Sequence, residues 1–237
     1  IMSSDWSSDV CSSDLVPDLR MLSVVAASQR DGLFFAGDLG QRIFQPPFSW
    51  KALGVDVRGR SSTLRINYRT SHQIRRQADR LLPGELADVD GNSESRGRTV
   101  SVFNGPEPRV LRCASEDEEQ QKVSAWLGEV LEAGVGPGEI GGFVRSADQM
   151  ERPAKAIEAA GSKYKELTEK IETLRDHIAL GTMHLAKGLE FRAVVVMACD
   201  DEVLPLQERI EAVSDDADLE DTYNTERHLL YVACTRA

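Results

Sequence analysis

The sequence predicts an α/β protein with a mostly parallel sheet covered by helices on both faces, and three observations carry that prediction. Ile140 to Val144 and Ala193 to Met197 are short apolar runs without alternation, as expected of strands buried on both sides. Glu116 to Ala133 repeats its apolar residues with a helical period, and weaker helical patterns flank the other strand candidates. Strand and helix patterns alternate along the chain, the order that βαβ units require.

The bulk properties agree with a globular chain. With 237 residues and 41% apolar content, it can bury a substantial core. Its 28 basic and 39 acidic residues leave a formal charge of -11. That balance argues against nucleic-acid binding by overall field but permits a local basic or polar strip. Cys11, Cys113, Cys199 and Cys234 lack metal-ligand spacing and read as reduced, mostly buried thiols, and no metal site is expected. No apolar run approaches the ~18 residues of a membrane helix, and no secretory leader pattern opens the chain. A cytoplasmic location is therefore expected.

In chain order, residues 1–15 contain near-copies of Ser-Ser-Asp with no helical or strand period, and are read as a low-complexity, spurious or disordered start. From Val16, the residues Leu19, Leu22, Val25 and Ala26 form one apolar face of a helix with Pro17 in its first turn. Leu33 to Ala36 reads as a short buried strand, followed by Gly37-Asp38. Phe44 to Arg60 reads as a loop with a short helical piece near Trp50 to Leu53. Leu64 to Asn67 is a strand candidate. Thr70 or Ser71 caps the next helix, which carries Ile74, Ala78, Leu81 and Leu82 before Pro83-Gly84 stops it.

Thr99 to Phe103 and Leu111 to Ala114 are further strand candidates, and Met150 to Ala160 is a helix closed by Gly161. Lys163 to Arg175 is highly charged and reads as a solvated helix or connector. Gly181 onward is a polar loop running into the Ala193 strand. The acidic run Glu208 to Asp221 reads as a mobile surface loop. Asn224 or Thr225 is the expected cap of a last helix carrying Leu229, Leu230, Val232 and Ala233.

Four polar stations interrupt this ordinary core. Gly37-Asp38-Leu39-Gly40-Gln41 combines a turn, a carboxylate able to orient a water or metal-bound group, and a glutamine able to position an attacking water. A plain Gly-Asp turn is the simpler reading. Phe44, Phe48 and Trp50 are either stacking platforms for unpaired bases or packing residues. Arg69, after Asn67-Tyr68, can grip a phosphate with its planar fork or make a surface ion pair.

In the third station, Thr182 and His184 flank Met183 and can supply a hydroxyl and an imidazole to nucleic acid. His184 also fits a satisfied buried histidine. Glu190 either accepts from a ribose hydroxyl or pairs locally. In the fourth, Arg227 and Arg236 lie too far apart on one helix to share a phosphate, and Arg236 near the helix exit could reach across a cleft. The phosphate-loop pattern GxxxxGK followed by Ser or Thr occurs nowhere in the chain.

Taken together, FAGDLGQRIF (Phe35 to Phe44), LRINYRTS (Leu64 to Ser71), GTMHLAKGLEF (Gly181 to Phe191) and ERHLLYVACTRA (Glu226 to Ala237) resemble the UvrD/Rep family of superfamily 1 helicases. The resemblance implies a RecA-like fold of the P-loop NTPase type, with residues 16–60 as a remnant of the first motor domain and residues 61–237 as the second, truncated at its C-terminal end. It implies ATP and Mg2+ as cofactors, with the metal held mainly by the N-terminal motor elements that this sequence lacks. It implies single-stranded or partly duplex DNA as partner, alongside that absent motor domain.

By the same resemblance, Gln41 contacts the terminal phosphate and attacking water, and Arg69 and Arg236 stabilise charge on the transferring phosphoryl group. Glu190 meets the ribose, Gly188 allows close backbone approach, and Asp38 serves the nucleotide site. Thr182 and His184 contact single-stranded DNA, with Phe48 or Trp50 in the base-stacking region, where Pro46 and Pro47 depart from the usual spacing. The function implied is the C-terminal part of an ATP-dependent 3'–5' DNA helicase or single-stranded DNA translocase. The alternative is a non-catalytic DNA-binding or protein-interaction module derived from one. Because the phosphate loop and the acidic pair before the Val16 helix are replaced, this polypeptide alone is expected to hydrolyse ATP very weakly or not at all.

Overall fold

The computed structural model describes residues 16–26, 34, 36–41, 43, 49–55, 59–60, 62–87, 89–91, 93–168 and 175–237. The Ser-Ser-Asp repeat and Phe48 lie outside them. The chain divides into two compact units, Ile1–Asn67 with Pro83–Val100, and Tyr68–Leu82 with Ser101–Ala237.

The first unit is built around α1 (Val16–Ala26), whose Leu19 is buried against Leu53, with Val16, Trp50 and Val55 packed around them. The short turn Lys51–Leu53 ends at Gly54 with φ 79°, a left-handed cap that a residue without Cβ adopts at little cost. The strands are short: β1 (Ile66–Asn67), β2 (Glu85–Ala87), β3 (Ser93–Ser95) and β4 (Val100–Ser101). β2 and β3 pair antiparallel, and the Val100 amide donates to the Arg65 carbonyl at 2.8 Å. The strand expected over Leu33 to Ala36 is not seen in its described residues. Phe34 is 91% exposed, and neither it nor Ala36 is extended into a ladder. A strand persists only where its backbone groups find a neighbour, and none of the described strands pairs with this stretch.

In the second unit, α2 (His72–Ala78) is capped by Ser71, whose hydroxyl accepts the Ile74 amide at 3.3 Å. α3 (Glu116–Glu132) is capped by Ser115 and opens with four acids, Glu116 to Glu119, where the helix dipole favours them. Four strands follow, β5 (Ile140–Val144), β6 (Tyr164–Glu166), β7 (Ile178–Thr182) and β8 (Ala193–Val196), with α4 (Glu151–Ala159) between β5 and β6. The sheet order is β6-β7-β5-β8 with every pairing parallel. β5 lies inside the sheet and all of its residues are buried, which explains its unbroken apolar run.

Side-chain alternation along β5 sorts the two faces. Ile140 and Val144 join Val123 and Leu127 of α3 and Ala156 and Ile157 of α4 in the main core. Phe143 points the other way and meets the Phe191 ring edge-on, centroids 5.9 Å apart. A Cβ on Gly141 would come within 2.9 Å of both rings, so this position requires glycine. Two helices complete the unit, α5 (Gln207–Glu211) and α6 (Asp216–Cys234). α6 packs against β8 and the 3-10 turn Met183–Ala186.

Four expectations are corrected in this unit. The charged stretch from Lys163, expected as a solvated helix or connector, opens with the edge strand β6, because an edge strand can carry Lys165 and Glu166 without burying their charges. Gly181 and Thr182 end β7 instead of starting a loop. Leu111 to Ala114 forms no strand. The acidic run expected as a loop is largely helical: α6 begins at Asp216, capped by Asp215, whose carboxylate accepts the Asp218 amide at 2.9 Å. Acids that repel one another in a loop are stabilised in the first turn of a helix. Thr225 is accordingly inside the helix, donating to the Asp221 carbonyl, and caps nothing.

Candidate functional site

The C-terminal ends of parallel strands are where an α/β sheet presents its functional loops. Thr182 closes β7, opposite Val144 of β5 in the register. The next residues form the turn Met183–Ala186, fixed by burial of Met183 and Ala186. His184 lies half-buried between those two anchors. Its pKa is pushed below the ordinary 6.5, chiefly by burial and then by the positive charge of Arg145 and Arg209, with Glu226 opposing. The imidazole is therefore neutral at pH 7 and offers one donor and one acceptor.

Further along the same loop, Gly188 adopts φ 80°, and Glu190 forms an ion pair with Arg69 at 3.3 Å. Both side chains are open to solvent, 38% for Arg69 and 65% for Glu190. The next residue, Phe191, donates its amide to the Arg236 carbonyl at 2.8 Å. Three of the residues expected at a nucleotide site, Arg69, Glu190 and Arg236, thus share one neighbourhood although they come from three separate stretches of sequence.

The Arg236 side chain is buried. It is 2% exposed, with Nε donating to the Val232 carbonyl at 2.8 Å and a terminal nitrogen donating to Thr235 Oγ1 at 3.4 Å. The last carbonyls of a helix have no intrahelical donor, and this guanidinium supplies one to α6.

Asp38 and Gln41 belong to the first unit. Asp38 Oδ1 accepts the Gly40 amide at 2.8 Å and Oδ2 accepts the Gln41 side-chain amide at 2.9 Å, so the carboxylate fixes which way the glutamine amide faces. Trp50, weighed as a stacking platform, is packed with the Leu19 and Leu53 cluster.

Several residues escaped the sequence reading. Arg145, directly after β5, makes a buried two-pronged ion pair with Glu226 of α6 at 2.5 and 2.7 Å, and the two side chains are only 6% and 3% exposed. Arg209 of α5 adds a third bond to the same carboxylate at 3.1 Å. The signal available was an arginine placed immediately after a strand buried throughout. In the first unit, the buried Arg96 stands 3.6 Å from Asp38 Oδ1, and no local pattern announced it.

Among the described residues, no group of three or more His, Cys, Asp and Glu side chains is placed to hold a metal ion. Cys113, Cys199 and Cys234 are free thiols, and burial pushes Cys234 up to about 12. No described helix is long and apolar enough to cross a membrane.

Compared with known proteins, residues 140–237 match the family described as the UvrD-like helicase C-terminal domain. No curated protein gives a match to the chain. The matched stretch begins at β5 and contains the loop with Thr182, His184, Gly188 and Glu190, the carboxylate of Glu226, and Arg236. Residues 140–237 are thus similar to the UvrD-like helicase C-terminal domain.

Proposed function

We propose that this chain is the C-terminal motor part of an ATP-dependent 3'–5' DNA helicase or single-stranded DNA translocase, acting in the cytoplasm. The observation that carries the proposal is that one stretch, from the last residue of β7 to the start of β8, holds both a polar pair suited to DNA, Thr182 and His184, and a charged residue paired to an exposed arginine, Glu190 with Arg69. A single stretch with both contacts can pass the state of a bound phosphate to the strand being tracked. The 3'–5' direction rests on the family resemblance.

The side chains fit one half of an ATP site. Arg69 is solvent-accessible and its bond to Glu190 is long enough to exchange for a phosphate oxygen. Gly188 brings backbone close without a Cβ. The phosphates and Mg2+ need a phosphate-loop domain, because the chain has no GxxxxGK sequence. When bound there, the metal neutralises charge on the terminal phosphates. Arg69 then stabilises the charge that develops in transfer, Glu190 is released to meet the ribose, and Thr182 and His184 hold the DNA.

In a motor containing this chain and a phosphate-loop domain, Arg69→Ala is expected to lower DNA-stimulated ATP hydrolysis about a thousandfold while leaving DNA affinity largely intact. A rate close to that of the unmodified motor would end the assignment. The second reading, a helicase-derived interaction module, draws on the acidic balance of -11 and would show no salt-sensitive affinity for single-stranded DNA.

A further inference from the structure

We infer that Glu226, gripped by Arg145 and Arg209, is a positioning residue for DNA binding: it holds the Thr182 to His184 turn in place through α6. The inference rests on the DNA-contact reading of that turn. Its first support is register. Val144 pairs with Thr182 across the sheet, so Arg145, the next residue, stands at the level where β7 gives way to the turn. Its second support is packing. The turn Met183–Ala186 lies against α6, the helix that carries Glu226. The ion pair therefore ties the end of β5 to the helix that backs the turn.

The third support is chemical. Glu226 Oε2 accepts from Arg145 Nε, and Oε1 accepts from both Arg145 and Arg209. Two guanidinium groups share one carboxylate, so the cluster keeps a surplus positive charge, and the 41% exposure of the Arg209 side chain carries that charge toward solvent. A buried ion pair is an expensive way to hold two elements together, since apolar packing of the same volume is commonly as stable. Its directional bonds fix orientation, which apolar contacts would leave looser. These three charged groups, from the residue after β5, from α5 and from α6, are also those whose fields act on His184.

The test uses the full chain and a fluorescein-labelled oligothymidylate, with affinity read by anisotropy and folding checked by circular dichroism and thermal melting. His184→Ala and Glu226→Gln are each expected to weaken binding about fivefold or more, and the double variant is expected to be no weaker than His184→Ala alone, because Glu226 acts through the turn. Arg209→Ala removes a partly exposed side chain and gives the same non-additive result if Glu226→Gln does not fold. Losses that multiply in both double variants, or unchanged affinity in both Glu226→Gln and Arg209→Ala, would overturn the positioning role. If the unmodified chain did not bind the oligonucleotide, or bound it equally well after His184→Ala, the DNA-contact reading itself would fall and this inference with it.

Discussion

Two arginine–glutamate pairs in the second unit have the same chemistry and opposite surroundings. Arg145 and Glu226 are 6% and 3% exposed and are bonded at both prongs, whereas Arg69 and Glu190 are 38% and 65% exposed and touch once, at 3.3 Å. In the buried pair, every bond made by the carboxylate compensates for lost water, and nothing can leave without leaving a bare charge behind. The exposed pair can open at little cost, because water can replace either partner. One pair is buried framework and the other is a solvent-open contact. Their distance apart in sequence, the identity of their residues and their formal charges do not distinguish them; burial does.

The contrast predicts a hierarchy of effects. Glu226→Ala strands Arg145 without its counter-charge and is expected to cost about 3–5 kcal/mol in unfolding free energy. Urea denaturation reads this directly, and a loss within error of zero would show that the pair is not framework. Asp215→Ala removes the cap of the same helix at its solvent-facing start and is expected to cost about 1 kcal/mol in the same assay. Arg69→Ala is expected to cost at most about 1 kcal/mol, since both partners are well hydrated. An Arg69→Ala variant as unstable as Glu226→Ala would erase the distinction.

The smallest effect concerns pH. The folded-state pKa of His184 is depressed, so the native state binds fewer protons than the unfolded state between that depressed value and 6.5. Stability should therefore decline as pH falls through 6.5 and level off once pH passes below the depressed value. His184→Gln should flatten this part of the profile, and an unchanged slope would mean that the imidazole is not held neutral by burial and the two arginines.

What could be read from the sequence follows from how local each signal is. β5, β8, α3 and the Ser71 cap are written in neighbouring residues, and the structure has each of them where the pattern put it, to within a residue or so. β6 was not legible because an edge strand shows no apolar run, and its Lys165 and Glu166 suggested a solvated segment. The early start of α6 was hidden by treating acids as a loop signal, when their position beside a capping aspartate was the informative fact.

The site divides in the same way. The motif words located the turn with Thr182 and His184, the exposed Glu190 and Arg69, and the helix ending near Arg236. They could not show that Arg236 donates to the Val232 carbonyl of its own helix, since that depends on which carbonyls are left without donors. Nor could they connect Arg145 with Glu226, 81 residues apart, because that pairing exists only once β5 and α6 are packed together.

The measurement that bears most directly on the central claim is an anisotropy titration of the chain with labelled oligothymidylate at two salt concentrations. The account predicts measurable affinity that falls as salt rises, by an amount set by the few phosphates contacted around Thr182 and His184. Absence of binding, or binding indifferent to salt, would contradict it.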